Sequence, residues 1–251
     1  MLMDDSQLER YSRQLLLPEI DLEGQQRLQQ ANIMIVGVGG LGNVAAMALA
    51  GAGVKTLHLW DGDDVELSNL HRQPLYDVND VGSDKSQAAR EQLHTLNSDV
   101  DIYCYSRLTN LSEAKEIAQR CDLILDCTDN RDTRQLVNQL AVHTNKPLII
   151  GAAIRFEGQI ITFLNQGGPC YECVSAQMMI SDVACRDVGI LNTQVMIIGL
   201  YQAHIALKHL LDIKAITDGE LMLMDGKLDE WQKFSINKSN NCLTCHIDKA
   251  N

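Results

Sequence analysis

The chain is short of cations: 21 Lys and Arg stand against 33 Asp and Glu, a formal charge of −12 over 251 residues. Binding to nucleic acid or to an anionic bilayer relies on clustered Lys and Arg, so neither is the expected partner. Any anionic substrate must instead be met by a few local cations. Long apolar runs are also missing. The most apolar helix candidate, Val195 to Leu211, is broken by Gln202, His204, Lys208 and His209, which marks a core helix and not a membrane span. The opening residues Met1-Leu2-Met3-Asp4-Asp5 are acidic and lack an apolar export segment, so a cytoplasmic location is expected. There is no internal repeat and no low-complexity linker. One domain over residues 1–251 is the economical expectation.

What is present is a rhythm. Residues 4–30 read as a helical arm broken at Pro18, with Leu8, Tyr11, Leu15 and Leu16 spaced for one face. Short strands are expected at 33–36, 57–60, 101–106, 123–125 and 148–150. Helices are expected between them near 43–52, 87–96, 112–120 and 133–144. Strands alternating with helices at this spacing imply an α/β fold with a doubly wound, mainly parallel, Rossmann-like sheet over 31–150. Beyond Gly151 the rhythm changes. A β-like stretch over 159–164, an aperiodic loop over 174–190, a helix over 193–211 and two strands near 220–224 and 231–236 are expected there.

Gly37, Gly39 and Gly42 fit G-x-G-x-x-G between a strand and a helix, with Gly40 inside the loop. Such a loop lets backbone N–H groups approach a phosphate at the positive end of the helix. Asp61 ends the next strand, where a carboxylate can accept ribose hydroxyls. NAD is the obvious ligand for that pattern. The segment Asp61-Gly62-Asp63-Asp64-Val65-Glu66-Leu67-Ser68-Asn69-Leu70-His71-Arg72-Gln73 points elsewhere, because Arg72, with Lys85 beyond, supplies the side-chain cations that a triphosphate needs. Either cation alone would read as a solvated surface charge.

Two Cys-x-x-Cys pairs, Cys170/Cys173 and Cys242/Cys245, flank the 68 residues from 174 to 241. Together they make a Cys₄ shell suited to structural Zn²⁺, one ion per chain, in a C-terminal zinc module that staples the tail to the middle. Disulfides or a redox pair are the competing readings, and His246 is a possible substitute ligand. Cys104, Cys121 and Cys127 read as inert core thiols. Cys185 is left over.

These stretches, with Arg10-Tyr11-Ser12-Arg13-Gln14, Asp126-Cys127-Thr128-Asp129-Asn130 and Gly151-Ala152-Ala153-Ile154-Arg155-Phe156-Glu157-Gly158-Gln159, occur along nearly the whole chain. Their order resembles the MoeB/ThiF family, the E1-like adenylyltransferases of sulfur-carrier proteins. The resemblance implies ATP-dependent adenylation of the C-terminal glycine of a small ubiquitin-like sulfur carrier ending in Gly-Gly. The carrier would be that of molybdenum cofactor biosynthesis (molybdopterin synthase small subunit) or, alternatively, that of the thiamine thiazole pathway; an NAD-dependent oxidoreductase is the remote alternative. It further implies that Asp129 holds Mg²⁺, that Arg72 and Lys85 contact phosphates, and that Asp61 binds ribose. Asp63, Asn69, Gln73 and Asn130 would complete the nucleotide site. Arg13 would reach it from the other subunit of a homodimer, and residues 151–251 would receive the carrier. Cys185 aligns with a family cysteine that can bond to the activated carrier, either turning over here or remaining a spectator. No rhodanese-like domain follows the tail, so a separate sulfur donor is expected. The turn Asn192-Thr193-Gln194 and the tail around Cys242-Leu243-Thr244-Cys245-His246 depart from the family's Gly/Pro-rich pattern. Asp129 could instead be the N-cap of the helix that follows it.

Overall fold

The computed structural model describes residues 3–109, 111–165, 167–175, 189–213 and 217–246. The arm is three short helices, α1 (Asp5–Arg10), α2 (Ser12–Leu15) and α3 (Asp21–Leu28). Asp4 caps α1 in a reciprocal box with Gln7. Only part of the expected apolar face is buried. Tyr11 is 3% exposed and receives a hydrogen bond on its hydroxyl from Asn97, whereas Leu16 is 72% exposed.

The rest forms one eight-stranded sheet in the order β3-β2-β1-β4-β5-β6-β7-β8. Its strands are β1 (Asn32–Val36), β2 (Thr56–Trp60), β3 (Asp101–Tyr105), β4 (Leu123–Asp126), β5 (Leu148–Ile154), β6 (Glu157–Phe163), β7 (Glu220–Asp225) and β8 (Glu230–Ser235). The first five pair in parallel and the last three join antiparallel. Strand β5 is longer than expected because its second half pairs with β6 up to Ile154↔Glu157.

Helices α4 (Gly40–Ala52), α5 (Lys85–Leu96) and α9 (Asn192–Leu210) cover one face, and α6 (Leu111–Arg120), α7 (Arg131–Thr144) and α8 (Tyr171–Ser175) the other. The period-two alternation sorts the strands cleanly. Ile33, Ile35, Leu57, Leu59, Leu123 and Leu125 enter the first core, while Met34, Val36, Trp60 and Ile124 enter the second. The connection expected as a loop from residue 174 begins as helix, since Val174 and Ser175 complete α8. Helix α9 is seated by Gln202, fully buried, whose amide donates to the carbonyls of Asp126 and Ile149 at 2.9 and 3.1 Å. Among the described residues, no helix is long and apolar enough to cross a membrane.

Candidate functional site

The parallel strands end at a common edge, and the turns leaving β1, β2 and β4 meet there. Gly37 leaves β1 with φ +88°, and a Cβ on it would sit 2.8 Å from the Cys127 carbonyl oxygen. A Cβ on Gly42 would collide with the Gly37 carbonyl oxygen, so the turn closes only with glycine at both positions. Gly39 and Gly40 open α4 with no side chain capping its first amides. Next to them stand the Gln73 side chain, beside Gly39, and Arg72 and Val195, beside Gly40. Free N–H groups at a helix start attract an anion. Asp61 fixes the loop from below, its carboxylate accepting from the N–H groups of Val38 at 2.7 Å and Asp63 at 2.9 Å. Burial raises the Asp61 pKa, with Lys85 and those two N–H groups opposing it.

The expected cations are placed by backbone pairing. Asp64 bridges to Asp84, and Lys85 N–H donates to the Asp63 carbonyl at 3.0 Å, which starts α5 beside the acidic turn. The Lys85 ammonium, nearly buried, lies 3.4 Å from one Asp63 oxygen, and Arg107 lies 2.7 Å from the other. Burial pushes the Asp63 carboxyl up, but Lys85 and Arg107 outweigh it and hold it below the usual range. Asn69 closes a 3₁₀ turn (Leu67–Asn69), and Arg72 is half-buried with its guanidinium donating to the Ser68 carbonyl at 2.9 Å. The Tyr76 hydroxyl sits between the carbonyls of Val38 and Lys85, at 2.9 and 3.0 Å, and ties this segment to the glycine loop. Asn69 Oδ1 and Gln73 Oε1 are buried without a hydrogen-bond partner among the described residues. Such an atom costs about 1–3 kcal/mol unless a ligand or water pairs with it, so both fit a site that is completed by a polar ligand.

Beyond β4, Asp126 accepts from the Thr128 N–H at 2.9 Å and its hydroxyl at 2.6 Å, and the turn leaves Asp129 exposed. The cap of α7 is Asn130, whose Oδ1 accepts from Thr133 N–H at 2.9 Å. That geometry leaves Asp129 without the capping role considered for it. It gives the Asn130 side chain a local structural partner where a cofactor contact was expected. A hollow of about 480 Å³ runs along the start of α7, lined by Asn130, Arg131, Asp132 and Gln135.

Arg13 is not part of this constellation within its own chain. Its neighbours Tyr11 and Gln14 pack on Ala52 and Gly53 at the far end of α4. The 13 residues of that helix put roughly 20 Å between them and the glycine loop. Cys185 lies outside the described residues. Two arginines were missed. Arg107 lies after β3 in a polar segment with no motif to mark it. Arg134 had a signal, because it shares the buried stripe of α7 with Val137, Asn138 and Ala141, an unusual place for a cation.

The four cysteines meet as the spacing implied. Their sulfurs all lie within 4.8 Å of one another, with Cys170–Cys242 at 3.6 Å and Cys173–Cys245 at 3.5 Å. All four are free thiols. A tetrahedral ion with metal–sulfur bonds near 2.3 Å needs sulfur–sulfur edges of about 3.8 Å, and this shell fits it. Backbone N–H groups of Ser239 and Cys245 point at the sulfurs of Cys173 and Cys242, at 3.4 and 3.5 Å. His246 is exposed and is not part of the cluster. Cys121 and Cys127 are buried as expected, while Cys104 is half-buried; burial raises all three thiol pKa values.

Comparison with known proteins places this geometry. The chain is 40% identical over 246 residues to the sulfur carrier protein ThiS adenylyltransferase of Escherichia coli (strain K12), covering 97% of both proteins. It is likewise 40% identical over 248 residues to the adenylyltransferase and sulfurtransferase MOCS3 of Drosophila grimshawi, of which it spans 55%. Crystal structures of E. coli MccB with ATP and of PaaA share the fold, with TM-scores of 0.81 and 0.79 over 94% of this chain. They are 20% and 24% identical to it, and the match covers 74% and 76% of those chains. The ThiF family matches residues 11–244. With the glycine loop, the acidic turn, the Asp129 turn and three of the four shell cysteines, Cys170, Cys173 and Cys242, inside that match, the chain belongs to the ThiF family.

Proposed function

We propose that the protein is an ATP-dependent adenylyltransferase acting on the C-terminal glycine carboxylate of a small ubiquitin-like sulfur carrier. The observation that carries this reading is the convergence, on one sheet edge, of the glycine loop, Lys85, Arg72, the unpaired amide oxygens of Asn69 and Gln73, and Asp129. A carboxylate is a poor electrophile at neutral pH. In the proposed reaction one carrier carboxylate oxygen bonds to the α-phosphorus of ATP while the bond to the bridging oxygen breaks, and pyrophosphate leaves with the electron pair. The first amides of α4, Arg72 and Lys85 offset the repulsion between the two anions. Asp61 faces the ribose, and Asp129 is the ligand for Mg²⁺, which supplies charge neutralisation at the phosphates when bound.

Arg13, remote from its own chain's glycine loop, is assigned to the site of a partner subunit in a homodimer. The ion of the Cys170/Cys173/Cys242/Cys245 shell is assigned as Zn²⁺ from the all-thiolate donor set. Cys185 is the candidate for a covalent carrier intermediate, with sulfur arriving from a separate donor. The molybdopterin carrier is the first substrate to test. The thiazole carrier is the second reading, favoured by the relative that matches end to end. Exchange of labelled pyrophosphate into ATP tests both side by side: the reading expects exchange only with Mg²⁺ and a Gly-Gly carrier, and fails if neither carrier supports it.

A further inference from the structure

Arg134 and Asn138 stand one turn apart on α7, and both contact Tyr171. The Arg134 side chain is 9% exposed. It donates to the Thr128 carbonyl at 2.6 Å and the Gly151 carbonyl at 3.3 Å, and pairs with Asp126 at 3.4 Å. Asp126 holds Thr128 from the other side through its N–H and hydroxyl. Thr128 is therefore pinned twice, and the next residue is Asp129. The same guanidinium lies 5.7 Å from the ring centre of Tyr171, which follows Cys170. Asn138 completes the link: its Oδ1 accepts from the Tyr171 N–H at 2.9 Å, and its Nδ2 lies 3.6 Å from the Cys170 sulfur.

A desolvated arginine is costly unless its donors are engaged and its charge is paired. Here the Asp126 and Thr128 groups that engage it belong to the Asp129 turn, the Gly151 carbonyl belongs to β5, and the ring that covers it belongs to the cysteine knuckle. Packed contacts of this kind have discrete arrangements, and displacing Tyr171 changes what Arg134 rests on. We infer that Arg134 is a positioning residue that couples the seating of the four-cysteine module to the geometry of the Asp129 turn. An ion in the module and Mg·ATP at the sheet edge then favour each other's binding. This inference rests on the assignment of Asp129 to the nucleotide's metal ion.

Coupling between two sites is reciprocal, so it can be read at the cysteines without any catalysis. The experiment measures Zn²⁺ retention by the full-length protein against the zinc-selective chelator TPEN, with and without Mg·ATP. For the wild type, Mg·ATP should tighten retention by about tenfold, within the usual span of such couplings. Arg134→Lys keeps the charge but lacks the planar fork that lets Nη2 reach the Thr128 and Gly151 carbonyls while Nε faces Asp126. It should keep its Zn²⁺ and bind ATP without Mg²⁺ as the wild type does, yet lose the tightening. Tyr171→Leu removes the ring while keeping bulk and should behave the same, so it decides the matter should Arg134→Lys fail to fold. Tightening that persists in a folded variant, or that is absent from the wild type, overturns the coupling. Asp129→Ala, run in parallel, separates the two ideas: if its ATP affinity keeps the wild-type dependence on Mg²⁺, the Asp129 assignment itself is wrong.

Discussion

Strands β1 and β4 are covered on both faces and carry unbroken apolar runs, whereas β8 is exposed along its whole length. The same contrast divides function. The first half shapes its anion site from strand ends, tight turns and backbone amides, with Lys85 and Arg72 set beside them. The second half presents Trp231 and Phe234 to solvent at 37% and 46% exposure and is closed by a cluster of four thiols. On the proposed reading an ion in that cluster would stabilise the tail, while the first half is fixed by packing alone.

The largest expected effect breaks the second half alone. Cys242→Ser should lose the bound ion and cost on the order of several kcal/mol, since binding energy of a structural metal is folding energy. Metal analysis and thermal melting check it; a variant that melts like the wild type would remove the ion from the account. Asp129→Ala should do the converse. Pyrophosphate exchange should fall about 10²–10³-fold, the usual loss for one electrostatic group in a preorganised site, with an unchanged melting curve because the side chain is exposed. Arg72→Lys keeps the charge but loses the planar fork, and a roughly tenfold drop in exchange is expected, equivalent to about 1.4 kcal/mol. Phe234→Ser should be smallest, within about 0.5 kcal/mol in urea denaturation. A loss of several kcal/mol there would make β8 part of the core and erase the contrast.

The sequence made the first half legible because its signals are local. Ile33 to Val36 is buried on both faces, so it is apolar throughout, and Gly37 is demanded by its φ of +88° and Gly42 by the nearby Gly37 carbonyl. The cysteine shell was legible because thiolate pairs carry their spacing with them. The arm misled, since Leu8 and Leu16 look like core positions yet are exposed at 37% and 72%. An apolar face in a sequence does not say which molecule covers it. Asn130 and Asp129 are adjacent and chemically alike, so the cap could be assigned only from the backbone. Arg107 was invisible as a site residue because its partner, Asp63, is set by the tertiary fold and not by spacing, whereas Arg134 showed only as a cation in a buried stripe.

Calorimetric titration of the purified protein with ATP at saturating Mg²⁺, repeated with NADH, tests the central claim most directly. The account expects ATP to bind at the glycine loop, with affinity reduced by roughly tenfold or more in Lys85→Ala, and NADH to give no heat. Heat from NADH and none from ATP would contradict it.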